Sequence, residues 1–138
     1  MARRTSRLET FDNPAPQRDY EIVHTAPEFT SVCPITGQPD FGTIVVTYVP
    51  DRLCLELKAL KLYFFEFRDR GVFYEAVVNR ILEDLVAACV PRRMEVRGDF
   101  RVRGGISSVV TARHPSMELG AGPKGRRGSS PRSKRGRT

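Results

Sequence analysis

The chain has 138 residues, enough for one hydrophobic core and too few for two. Its formal net charge of +7 invites a nucleic-acid reading until it is divided along the chain. Seven of the 23 basic residues lie between Gly120 and Thr138 with no acid among them, and the other 16 balance 16 acids, so the body is formally neutral. No apolar run approaches the roughly 20 residues that cross a bilayer, and no apolar stretch follows the N-terminal arginines, so a cytoplasmic location is expected. Cys33, Cys54 and Cys89 are odd in number and show no CxxC or CxxH spacing, which argues against a disulfide framework and a structural zinc. No metal site is expected.

In chain order, Met1 to Pro16 is polar, proline-bearing and without period, so residues 1–18 are expected to form a flexible N-terminal arm. Asp19 to Thr25 and Thr43 to Val49 read as strands. In the second of these, Ile44, Val46 and Tyr48 alternate with Thr43, Val45 and Thr47. Between them lies a loop of turn formers, Cys33-Pro34-Ile35-Thr36-Gly37-Gln38-Pro39-Asp40. Pro50-Asp51 ends the second strand, and Cys54 to Leu57 leads into a helix.

That helix carries Leu57, Leu60, Phe64 and Phe67 on one expected apolar face, with Lys58 and Lys61 on another. After a break at Asp69-Arg70-Gly71, a longer helix is expected from about Val72 to Cys89, with Phe73, Val77, Ile81, Leu85 and Ala88 buried. Pro91 stops it. Two strands follow near Met94 to Val102 and Ile106 to Arg113, joined by a turn at Arg103-Gly104-Gly105. The order strand, strand, helix, helix, strand, strand predicts an α+β domain over residues 19–119: an antiparallel sheet with two helices on one face. Residues 120–138 are Gly, Ser, Pro, Lys and Arg almost throughout, a basic tail expected to be disordered.

Chemistry concentrates in the Cys33 loop. Two prolines and Gly37 restrict its backbone, and Asp40 closes it, so a thiol nucleophile and a carboxyl proton carrier can stand side by side. The competing reading is that a free cysteine is a small inert hydrophobe, as expected for Cys54 and Cys89 in their apolar runs. Lys58 and Lys61, near a helix start, are placed for phosphate, although such pairs also occur as plain solvated charge. Glu75 in Phe73-Tyr74-Glu75 suits a first helical turn whatever its task, and an ionised carboxylate there also accepts the paired N–H groups of a guanine-like edge. His24 and His114 have no nucleophile elbow beside them, and there is no phosphate-binding loop or dinucleotide fingerprint.

Four blocks together resemble the NADPH-dependent 7-cyano-7-deazaguanine reductases, the QueF family, in its short single-module form. They are Glu28 to Ser31 running into CPITGQPDF from Cys33 to Phe41, LELKALKLY from Leu55 to Tyr63, FYE from Phe73 to Glu75, and RGGI from Arg103 to Ile106. The resemblance implies the tunnelling fold shared with GTP cyclohydrolase I, in which ββααββ units assemble into rings, here stacked pentamers with active sites between subunits. It implies that Cys33 adds to the nitrile of 7-cyano-7-deazaguanine as a covalent thioimide while Asp40 protonates nitrogen. Two NADPH-derived hydrides then give the aminomethyl base for tRNA queuosine.

By the same resemblance Leu55, Glu56, Leu57, Tyr74 and Glu75 bind substrate, and Lys58, Lys61, Arg103 and Gly104 attend NADPH. Some members carry histidine where this chain has Tyr74. Two other readings compete. One is an amidinotransferase-like relative acting on nitrile-modified tRNA, a branch that lacks the lysine-bearing motif present here. The other is an RNA-binding module working through the basic tail, although the body has no basic stripe and nucleic acid is not required by the first reading.

Overall fold

A computed structural model describes residues 8–116, and the basic tail lies outside them. The expected order is found, with additions. An antiparallel sheet runs in the order β2 (Ile22–Val32), β3 (Pro39–Val49), β5 (Arg93–Arg103), β6 (Ile106–His114). Between β3 and β5 come a short strand β4 (Leu53–Leu55), helix α1 (Leu57–Phe65), a 3-10 turn (Glu66–Asp69) and helix α2 (Tyr74–Cys89). The helical layer covers one face of the sheet. Alternation along β3 and β5 sends Ile44, Val46, Tyr48, Met94, Val96 and Phe100 under it, against Val77, Val78, Ile81 and Leu85 of α2.

Several expectations need correction. The first strand extends to Val32, past the end expected at Thr25, because a bulge between Ala26 and Phe29 breaks the alternation and lets the strand continue. Residues 8–18, expected within a flexible arm, instead hold strand β1 (Thr10–Asp12), paired antiparallel with β4. Asn13 anchors them. Buried, it donates through Nδ2 to the Asp51 carbonyl at 2.7 Å and accepts at Oδ1 from the Ala15 amide and the Tyr20 hydroxyl at 2.9 and 2.5 Å. Asn13→Ala is expected to cost about 2 kcal/mol by leaving buried polar groups unpaired, read as a lower midpoint in urea.

Leu57 and Phe73, expected inside, are 60% and 55% exposed. Leu57 is the first residue of α1 and Phe73 caps α2, so neither is on a turn that faces the core. Tyr63 is buried instead, its hydroxyl donating to Asp84 Oδ2 at 2.7 Å, and the tighter 3-10 turn swings Phe67 in beside it, ring centroids 5.3 Å apart. Among the described residues no helix is long and apolar enough to cross a membrane.

Candidate active site

The β2–β3 hairpin presents Cys33. Its connection is closed by Cys33 N–H to the Gln38 carbonyl and Gly37 N–H to the Cys33 carbonyl, both 2.9 Å, and Gly37 takes φ 76°, a region that a side chain would strain. A second stitch brings α2 to this hairpin. Val32 donates to the Arg70 carbonyl and accepts from Val72 N–H, at 2.9 and 3.0 Å, so the chain entering α2 is bonded to the residue before Cys33. Phe73-Tyr74-Glu75 therefore starts beside the Cys33 hairpin.

The Cys33 thiol is partly exposed and free. Hydrogen bonds from the Thr36 hydroxyl, then from the Thr36 and Ile35 amides, hold its pKa below the ordinary thiol value, against smaller upward pushes from burial and the Asp40 charge. Cys54 and Cys89 are buried, and burial pushes the Cys89 thiol up to about 12. Of the three, Cys33 alone is not buried, and its pKa is the lowered one among those that shift. Thr36→Val is expected to move the pH midpoint of Cys33 alkylation upward, toward the ordinary thiol value of about 8.5, because the largest hydrogen bond to the thiolate is lost.

Asp40, 6% exposed, sits across the strand pair from Ser31. Arg103 Nη1 makes a short charged hydrogen bond to Asp40 Oδ1, Arg103 Nη2 donates to Gln38 Oε1 at 2.8 Å, and the Tyr74 hydroxyl donates to the same Asp40 Oδ1 at 3.3 Å. Both donors end on one oxygen. The other, Oδ2, accepts no hydrogen bond from the described residues. Burial, then the Asp40 charge, raises the Tyr74 pKa, so its hydroxyl stays a donor at neutral pH.

The Tyr74 ring is stacked on Phe100 with centroids 3.9 Å apart and planes 5° from parallel. Space for Phe100 comes from two glycines. A Cβ at Gly98 would stand 2.7 Å from the Phe100 ring, and one at Gly42 would stand 2.8 Å from it. Phe100, Gly42, Gly98, Gln38 and Thr36 are site residues that sequence reasoning missed, because their roles depend on cross-strand neighbours rather than on chain spacing.

The other expected site residues separate into two places. Glu75 is exposed in the first turn of α2, next to Tyr74, and Gly104 is exposed at φ 59° in the β5–β6 turn. Arg103, expected to attend the cofactor, is instead engaged with Asp40. Leu55 is buried in β4, whereas Glu56, Leu57, Lys58 and Lys61 line a groove of about 990 Å³ between α1 and the bulged edge strand β2. None of Cys33, Asp40, Tyr74, Glu75 or Arg103 contributes to its wall.

Glu56 caps α1, accepting from the Ala59 and Lys58 amides at 2.8 and 3.1 Å, and those bonds lower its pKa. The helix-start amides expected to help bind phosphate are thus taken. The lysine side chains are not, and an apolar wall of Phe29, Phe64 and Phe65 beside them fits a ligand with flat rings and phosphates.

A ββααββ domain that sets a reachable cysteine of lowered pKa beside a buried aspartate offers a candidate enzyme site. Comparison with known proteins then fixes its kin. The family described as "QueF-like protein" matches residues 39–118. An "NADPH-dependent 7-cyano-7-deazaguanine reductase" of Anaeromyxobacter sp. (strain Fw109-5) is 61% identical over 113 residues, covering 82% of this chain and 93% of that one. Proteins of the same name from Chlorobaculum tepidum and Rhodopirellula baltica are 62% and 57% identical, over 75% and 78% of this chain and 89% of each relative. The chain belongs to the QueF family. A crystal structure of "the archaeosine synthase QueF-Like in the apo form" superposes with a TM-score of 0.67 at 23% identity, over 71% of this chain and 96% of that one, which is the tunnelling fold.

Proposed function

We propose that this enzyme reduces the nitrile of 7-cyano-7-deazaguanine to the aminomethyl base with NADPH, in the queuosine route. The observation that carries the reaction is the hairpin itself, with a thiol of lowered pKa at one end and Asp40 at the other. Asp40, paired with Arg103 as a carboxylate, accepts the Cys33 proton. The Cys33 sulfur then forms a bond to the nitrile carbon, one carbon–nitrogen π bond breaks, and Asp40 returns the proton to nitrogen. The product is a thioimide on Cys33 with all atoms accounted for.

NADPH, when bound, supplies hydride, twice over for a four-electron reduction. Lys58 and Lys61 hold its phosphates as point charges. As sulfur leaves carbon after the first reduction, Cys33 recovers its thiolate, and Tyr74 and Arg103 keep the Asp40 carboxyl aimed throughout. Glu75, exposed beside Tyr74, accepts the paired N–H donors of the deazaguanine ring, and Glu56 and Leu57 hold substrate at the groove.

Because the Cys33 cluster and the lysine groove share no wall within one chain, the complete site forms between copies. The unpaired edges of β2 and β6 are where copies join into rings. Purified protein mixed with the cyano base and NADPH should consume two dihydronicotinamide equivalents per aminomethyl product. No consumption would dismiss this reading. Amidine formation on nitrile-bearing tRNA without NADPH would instead support the rival, which the two groove lysines disfavour.

A further inference from the structure

Thirteen lysines and arginines lie among the described residues, and seven of them are ion-paired with acids, through Arg70, Arg80, Arg92, Arg93, Arg97, Arg103 and Arg113. Of the remaining six, Arg18 and Arg52 are elsewhere, whereas Lys58, Lys61, Arg68 and Arg101 all line one groove beside α1. Most of the positive charge without an ion pair among the described residues is thus gathered there. Two carboxylates, Glu28 and Glu56, also reach the groove, the second within electrostatic reach of Lys58, so four cations face two anions and the wall keeps a net positive charge.

The four cations differ in kind and position. Lys58 and Lys61 belong to the first turns of α1. Arg68 lies seven residues beyond Lys61, in the 3-10 turn that follows α1, roughly 12 Å farther at about 1.5 Å per α-helical and about 2.0 Å per 3-10 residue. Its guanidinium rests over the Phe65 ring, 4.5 Å from the centroid, and Phe65 is itself 58% exposed on the groove. Arg101 enters from β5 and lines the groove together with Phe41 of β3. A compact ammonium serves a diester phosphate well, while a planar guanidinium fork matches the oxygens of a phosphate monoester.

An NADP-type dinucleotide has both kinds of phosphate. Its pyrophosphate carries two negative charges, and its ribose monoester adds about 1.5 to 2 more near neutral pH. Four unpaired cations along one groove answer that charge. We propose that Arg68, braced on Phe65, and Arg101 bind the ribose monoester and so make the groove select NADPH over NADH, leaving Lys58 and Lys61 to the pyrophosphate. The inference rests on the cofactor assignment of the preceding section and adds to it the two residues that read the monoester.

The test is equilibrium binding, followed by dihydronicotinamide fluorescence, of NADPH and NADH to the full-length protein and to Arg68→Gln and Arg101→Gln. Both side chains are exposed, so the variants should fold. NADPH affinity is expected to fall about tenfold or more in each, with NADH affinity unchanged, and Arg68→Lys should retain part of the difference. If both cofactors weaken by one factor, or neither changes, the monoester assignment is overturned. Formation of the covalent nitrile adduct by the wild type without cofactor reads the reaction separately, so its failure would indict the function and not this specificity.

Discussion

Cys33→Ala is expected to lose turnover by more than about a thousandfold, the usual scale when a nucleophile is removed from a covalent mechanism. Stability should change by no more than about 0.5 kcal/mol, because the side chain is partly exposed in a hairpin connection and packs no core. Cys33→Ser should be nearly as inactive, since a hydroxyl is scarcely ionised at neutral pH and the Thr36 hydrogen bond cannot make up the difference. Cys54→Ala and Cys89→Ala should behave in the opposite way. Both residues are 2% exposed or less, so their loss is felt as stability and leaves the reaction largely intact. A melting curve and a turnover assay on the same four proteins would display the contrast.

The second large effect belongs to Asp40. Asp40→Asn keeps the shape and loses the ability to take and return a proton, so turnover should fall by roughly 10²–10⁴. Alkylation of Cys33 gives the effect a signature that a folding defect would not reproduce. The Asp40 charge pushes the Cys33 pKa up, so removing it lets the thiol ionise at lower pH. Alkylation at mildly acidic pH should therefore become faster while turnover collapses. A midpoint that stays put or rises would mean that the carboxylate does not face the thiol.

Tyr74 and Arg103 act through that same carboxylate. The Tyr74 ring has one face against Phe100 and its hydroxyl on Asp40, so the side chain is held as a hydrogen-bond donor at this position. Arg103 bridges from the β5–β6 hairpin to Asp40 and Gln38, tying the far edge of the sheet to the Cys33 hairpin.

Much of this was legible in the residues. Alternation in β3, the long apolar stripe of α2 and the glycine turn before β6 each follow from a local period or a local backbone need, and each is where it was expected apart from Phe73 at the head of the stripe. The Cys33 loop was legible too, since prolines, Gly37 and Asp40 all fall within one turn. Long-range partners were not. Arg103 lies 63 residues from Asp40 in sequence, and nothing in RGGI says which carboxylate it will meet. Strand β1 is three residues long with no alternation to reveal it, and its order comes from β4 and from the bond of the adjacent Asn13 to Asp51, partners that are distant in the chain. Gly42 and Gly98 carry no local signal of their role, which emerges only when Phe100 is placed against both.

Everything turns on whether the Cys33 sulfur forms a bond to the nitrile carbon. Intact mass spectrometry after mixing the wild-type protein with 7-cyano-7-deazaguanine, in the absence of NADPH, reads this directly. The account predicts a gain equal to the whole mass of the base, as addition requires, mapped by peptide digestion to Cys33 and absent from Cys33→Ala. An unmodified wild-type protein, or an adduct that persists in Cys33→Ala, would contradict it.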